Sequence, residues 1–131
     1  MGKYGKASLL ALERSQQSSV VDPATAWKWA VAQVFPNSQS SQDKGCPKGA
    51  FLGLCSHGLV KGVEPGNYTR SKDNRAYAVR AVQLLKQNPS LYERPNDLWS
   101  AILAGEEKVE NSQTDVVIAL WNSGALDTTN V

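Results

Sequence analysis

One segment, residues 45–60, holds most of the side chains whose types could do chemistry. It contains both cysteines of the chain, its single histidine and four of its ten glycines. Cys46 stands between Lys44 and Lys48 just before a predicted helix start, where backbone N–H groups and cations favour a thiolate. Nucleophilic catalysis also needs a base, and His57 lies a full helix length away. We therefore interpret Cys46 as a small residue at a helix entry, with a reactive thiol as the alternative.

The same residues argue against a metal site. Structural zinc takes four cysteine or histidine ligands, whereas the chain has two cysteines and one histidine. Cys55 and His57 stand two positions apart and would point in different directions on a helix. Thiols nine positions apart along a helix are too distant to form a disulfide, so we expect free thiols in a reducing, cytoplasmic environment. We predict neither a bound metal nor a cofactor.

The start of this segment favours a small anion more than it favours a nucleotide. Gly45 to Gly49 surround the predicted helix start at Pro47, and the free N–H groups of a helix start attract anions. The full phosphate-loop pattern is absent. Gly49 and Gly53 lie one turn apart inside the helix, where each costs about 1 kcal/mol relative to alanine. Another backbone or a ligand must lie against this face to offset that cost, and the pattern leaves both open.

The charge of the chain is small overall and uneven along its length. The net charge is +2, but residues 44–86 carry eight basic and two acidic side chains, a net +6, while the remainder carries −4. Such a basic middle segment is either a solvated surface or a surface for an anionic partner. No apolar run approaches the roughly 18 residues that a membrane span requires, so we expect no membrane partner.

A second cluster follows a predicted turn at Pro65-Gly66. Tyr68, Arg70, Lys72 and Arg75 surround the start of the clearest amphipathic helix, whose apolar stripe belongs to the core. An aromatic ring among cations beside helix-start N–H groups suits an anionic or planar ligand. The predicted ligand or partner site therefore comprises Cys46, Lys48, Gly49, Gly53, Tyr68, Arg70, Lys72 and Arg75.

The elements that position these residues are all predicted to be helical. Apolar residues recur at helical spacing, so we predict an all-α fold with six helices in one domain over residues 1–131. The helices are predicted over residues 4–15, from Pro23 after the Asp22 cap, from Pro47 to a stop at Gly58, over 72–87, from Asn96 or Asp97 to a stop at Gly105, and from an Asn111 or Ser112 cap to a stop at Gly124. A polar break is predicted at 16–21 and a polar loop at 36–44. Residues 59–69 form either an irregular insertion or a small hairpin.

Three stretches resemble a small uncharacterised bacterial family, of the kind carried in mobile gene and integron cassettes. They are Gly45-Cys46-Pro47-Lys48-Gly49-Ala50-Phe51-Leu52-Gly53-Leu54-Cys55, Gly66-Asn67-Tyr68-Thr69-Arg70-Ser71-Lys72 and residues 111–121 from Asn111 to Trp121. The resemblance covers nearly the whole chain. It implies a helical domain and no assigned activity, so it assigns no catalytic residue.

From the sequence we predict a non-catalytic binding or interaction domain. One alternative is a nucleic-acid-binding helical module that uses Lys61, Arg70, Lys72, Arg75 and Arg80. Another is a small thiol-dependent enzyme with Cys46 as its nucleophile. The ligand could be a small anion, a protein or a nucleic acid, and a homo-oligomer stays open.

Overall fold

The fold consists of helices arranged around one hydrophobic core. The computed structural model describes residues 2–17, 22–129 and 131, and those ranges contain no β-strand. Six helices have nine residues or more: α1 (Lys3–Gln17), α2 (Pro23–Val34), α4 (Gly45–Ser56), α5 (Lys72–Gln87), α6 (Pro95–Leu103) and α7 (Gln113–Asn122). The four-residue α3 (Gln39–Gln42) and a 3-10 helix at Pro89–Glu93 complete the described elements. The predicted all-α fold is confirmed.

The helix boundaries follow mostly from local chemistry. The Asp22 side chain accepts a hydrogen bond from the Thr25 N–H at 3.0 Å, the expected cap of α2. Gly58 and Gly124 follow the ends of α4 and α7 with φ values of 78° and 75°, the left-handed conformation that stops a helix. α6 likewise ends two residues before its predicted glycine stop, Gly105, and here Ala104 also adopts a left-handed φ of 50°.

Helix α4 is the centre of the packing. Nine of its twelve residues are buried, and it packs against α2, α5 and α7, while α1 packs against α2 and α7. The Phe51 ring stacks on Trp27 of α2 with ring centroids 5.3 Å apart. Helix α4 begins at Gly45 and not at Pro47, so the proline lies inside its first turn, where a missing N–H costs nothing.

Two of the connections between helices contain structure of their own. Of the two alternatives for residues 59–69, the irregular insertion is observed and the hairpin is not, because Val60 pairs with Leu126 in an isolated antiparallel bridge. The Lys61 N–H donates to the Ala125 carbonyl at 2.9 Å and the Asp127 N–H to the Leu59 carbonyl at 2.8 Å. The polar loop at 36–44 contains α3, which the Ser38 hydroxyl caps. Most of the polar break predicted at 16–21 lies outside the described residues, and Gln16 and Gln17 extend α1.

Among the described residues, no helix combines the length and the apolar character that crossing a membrane would require.

Candidate functional site

The close contact between α4 and α5 explains the two central glycines. A Cβ atom built on Gly53 would lie 2.6 Å from the Cα of Arg75, and one on Gly49 would lie 2.8 Å from the Cβ of Asn74. Real Cβ atoms essentially never approach other heavy atoms so closely. Of the two explanations left open by the sequence, the structure therefore shows a neighbouring helix against this face. Of the predicted site, the contact brings together Gly49, Gly53 and Arg75.

A chain of side-chain hydrogen bonds fixes the start of α5 beside this contact. The Asn74 amide donates to the Ser71 hydroxyl at 2.8 Å and accepts from the Gln113 amide at 3.1 Å. Gln113, which is 1% exposed, accepts in turn from the Asn111 N–H at 2.6 Å. Each polar side chain in this hydrogen-bonded series has a partner, as a low-dielectric interior requires. The first turns of α5 and α7 are thereby held in one arrangement.

A groove opens on the outer face of α5. It has a volume of about 460 Å³ and is lined by His57, Lys72, Arg75, Ala76, Val79, Arg80 and Gln83, and we call it the α5 groove. The α5 residues recur at helical spacing, so they lie on one stripe of the helix. His57, which caps the C-terminus of α4 directly after Ser56, also lines the groove. The middle of the groove is apolar, through Ala76 and Val79, and its cations come from Lys72, Arg75 and Arg80.

Among the residues that the structure describes, the cations of the α5 groove have no carboxylate partner within 4.0 Å. None of the described residues lining the groove is acidic. Within the ranges 2–17, 22–129 and 131, the single ion pair within 4.0 Å joins Arg94 to Asp97, far along the chain. The Arg75 guanidinium lies 3.3 Å from Nδ1 of His57, and because a guanidinium only donates, Nδ1 must be the accepting nitrogen. The groove thus presents positive charge that the fold itself does not neutralise.

The other predicted site residues lie elsewhere. Lys48 lines a separate pocket of about 410 Å³ with Trp27 and Lys28. Arg70 is exposed in the connection before α5. Tyr68 is half-buried, and its hydroxyl donates to the Glu64 carbonyl at 2.7 Å, so the ring folds back on its own turn. The ring is therefore not the exposed stacking platform that we expected beside Arg75.

Cys46 lies in a third position, away from any histidine. It lines a shallow cleft with Leu103, Asn111 and residues 106–109, and none of the described lining residues is a histidine. His57 ends the same helix at its opposite terminus, as the sequence predicted. The described part of the chain also brings no three Cys, His, Asp or Glu side chains together in a way that could hold a metal ion.

The two thiols should differ strongly in reactivity. Cys46 is half-buried at a cleft, whereas Cys55 is 0% exposed, and burial raises the pKa of the Cys55 thiol to about 12. Because the thiolate is the reactive form, we expect an iodoacetamide label at pH 8 on Cys46 alone in the folded protein. Mass spectrometry of peptides after labelling checks this, and labelling at Cys55 in urea serves as the control. Equal labelling of both thiols without urea would contradict it.

Sequence reasoning missed two parts of the groove. His57 is absent from the predicted site, although its position one residue before the predicted Gly58 stop indicates the exposed end of α4. Ala76 and Val79 are also absent from the predicted site, although they lie at i+4 and i+7 from Lys72 and so on the same face of the helix. The spacing of these residues on the outer face of α5, opposite its apolar core stripe, indicates that they lie together.

Comparison with known proteins identifies the family and no function. The chain belongs to a protein family described as a family of unknown function (DUF6979), which it matches over residues 1–127. Searches of curated proteins and of solved structures gave no significant match.

Proposed function

We propose that this protein is a non-catalytic binding domain and that an acidic, amphipathic segment of a partner protein occupies the α5 groove. The observation that carries the proposal is the pairing of unneutralised cations with an apolar floor in one concavity. Lys72, Arg75 and Arg80 would meet carboxylates, and the floor at Val79 would take an apolar side chain. Complementary charge supplies orientation and a fast encounter, and the apolar contact supplies affinity.

The apolar floor favours a protein segment over nucleic acid. A phosphate backbone needs cations and polar donors, and it gains little from Ala76 and Val79. Single-stranded nucleic acid also uses stacking rings, whereas the Tyr68 ring is folded onto its own turn with its hydroxyl bonded to Glu64. Lys61, a member of the predicted nucleic-acid set, lies near the end of α1, where its carbonyl accepts from Gln16.

Nucleic acid stays the second candidate because of one feature. Lys72, Arg75 and Arg80 follow one face of α5 over about 12 Å, at 1.5 Å per residue, and such a row can contact successive phosphates. Binding of that kind weakens steeply with added salt. A gel shift with a double-stranded DNA probe at two salt concentrations therefore separates the candidates.

Removing the groove cations should abolish binding and leave the fold intact. We expect the variant Lys72→Ala/Arg75→Ala/Arg80→Ala to bind a fluorescein-labelled Glu/Leu amphipathic peptide at least about ten-fold more weakly than the parent. Its melting temperature should stay nearly unchanged, because these charges have no carboxylate partner to lose. Fluorescence anisotropy and circular dichroism measure the two quantities.

A variant of equal charge provides the control. Lys6, Lys28 and Lys61 are exposed and lie outside the groove, so Lys6→Ala/Lys28→Ala/Lys61→Ala should bind the peptide as the parent does. Equal losses in the two triple variants would mean that net charge alone attracts the peptide. Unchanged binding in the groove variant would contradict the proposed site.

The proposal extends to cellular context. The protein would be cytoplasmic and encoded on a bacterial mobile gene cassette. The free thiols support the location, and the resemblance of residues 45–55, 66–72 and 111–121 to the bacterial cassette family supports the origin. A cell-fractionation experiment with a tagged copy tests the location.

A further inference from the structure

The loop between α6 and α7 presents a surface that complements the α5 groove. Val109 is 85% exposed, one of two large apolar side chains with high exposure in the described ranges. It lies within Glu106-Glu107-Lys108-Val109-Glu110, which we call the acidic loop. An exposed valine beside carboxylates has the chemical character that the proposed function requires of the groove's occupant.

The side chains of the acidic loop divide into those bound to their own chain and those that project. The Glu106 carboxylate accepts from the Tyr77 hydroxyl at 3.1 Å, and the Lys108 ammonium lies over the Tyr77 ring, 5.8 Å from its centroid. The Glu110 carboxylate accepts from the Ser112 N–H at 3.0 Å. Glu107 and Val109 are exposed and have none of these contacts. The acidic loop therefore exposes the Glu107 carboxylate and the Val109 side chain, while the Lys108 ammonium lies against the Tyr77 ring of its own chain.

The acidic loop is held in shape before any contact with a partner. The Trp99 indole N–H donates to the Lys108 carbonyl at 3.0 Å, and the Glu106 N–H donates to the Leu103 carbonyl at 3.0 Å. Ala104 and Gly105 make the left-handed turn that starts the loop, with φ values of 50° and 95°. A loop fixed in this way loses little conformational entropy when it binds.

The acidic loop cannot fill the groove of its own chain. It contacts α5 at Tyr77, and Tyr77 is two residues from both Arg75 and Val79, about 200° around the helix at 100° per residue. The loop and the α5 groove thus lie on different sides of α5. A contact between them must join two copies of the chain, and it would be heterologous, because the two surfaces differ.

We propose that the protein self-associates weakly, with the acidic loop of one copy seated in the α5 groove of a second. Val109 lies against Ala76 and Val79, and Glu107 pairs with the cations of the groove. This inference rests on the proposed function and names a second copy of the chain as one occupant of that site. The contact is small, so association needs protein concentrations from high micromolar to millimolar.

Charge reversal on each surface, followed by mixing, tests the contact. We expect the parent to show concentration-dependent association in sedimentation velocity. Arg75→Glu and Glu107→Lys should each stay monomeric, because each places like charges in the contact. An equimolar mixture of the two should associate again, because opposite charges then meet between the variants. Glu13→Lys, an exposed change on α1 outside both surfaces, should behave as the parent does.

The outcomes separate this inference from the proposed function. A parent that stays monomeric at every concentration, or single variants that associate as the parent does, would overturn self-association. Glu107→Lys keeps the groove intact, so it should still bind the Glu/Leu peptide. Peptide binding by a monomeric parent would leave the proposed function in place and remove the second copy as the occupant.

Discussion

Gly53→Leu is expected to destabilise the protein by at least about 3 kcal/mol, the upper part of the range for overpacked cores. The first carbon of the new side chain would lie 2.6 Å from the Cα of Arg75. Backbone cannot turn aside as a flexible side chain can, so α4 and α5 must separate. Because α4 is the most buried helix, that separation disturbs packing against α2 and α7 as well.

Thermal unfolding followed by circular dichroism measures this effect. We expect a fall in melting temperature of about 10 °C or more for a domain of this size, with a smaller fall for Gly49→Leu, whose nearest contact is the Asn74 side chain at 2.8 Å. Gly45→Ala is the matched control, because nothing lies within 4 Å of a Cβ at Gly45 in the same helix. A Gly53→Leu variant that melts within a degree or two of the parent would show that the two helices do not touch there.

Asp115→Ala is expected to lower the free energy of unfolding by about 2 kcal/mol, because this carboxylate of α7 binds N–H groups at the start of α1. Its two oxygens accept from the Gly2 and Gly5 N–H groups at 2.8 Å each, so Asp115 of α7 caps the start of α1. N–H groups at a helix start have no partner within the helix. Without the carboxylate, the first turn of α1 should fray, and its packing against α7 should weaken.

Hydrogen exchange distinguishes this fraying from a general loss of stability. In Asp115→Ala, the exchange rates of the amides of Gly5 and its neighbours should rise relative to the parent by more than the exchange rates of the α5 amides do. Asp97→Ala provides a comparison, because Asp97 also stands in a first turn but forms an exposed pair with Arg94. We expect that change to have little effect on stability. Equal effects from both variants would mean that Asp115 acts only through general helix-start electrostatics.

The sequence predicted the helices better than it predicted the connections between them. Asp22, Gly58 and Gly124 are local signals, and each acts within a few residues of its own position. The bridge between Val60 and Leu126 joins residues far apart in the chain, so no local pattern indicated it. The hydrogen bonds from the Gln113 amide to Asn74 and from the Gly5 N–H to Asp115 are of the same long-range kind.

The same contrast between local and long-range signals explains which residues of the α5 groove the sequence indicates. Lys72 and Arg75 share a helix face with Arg80, and the helical period alone places them together. The predicted site also includes Cys46 and Lys48, because both stand at the predicted start of α4, where free N–H groups attract anions. The structure puts those two residues in separate concavities, because α4 turns them away from the outer face of α5. Which residues of different helices become neighbours depends on how the helices pack, and the pattern of a single sequence does not specify that packing.

A single nuclear magnetic resonance titration tests the central claim, that the α5 groove is the binding site. The unlabelled Glu/Leu peptide would be added to ¹⁵N-labelled protein while the backbone amide signals are followed. We predict saturable shifts centred on Ala76, Val79 and Arg80, with His57 at the edge of the affected surface. Shifts confined to the pocket of Trp27 and Lys48, or no saturable shift at all, would contradict the account.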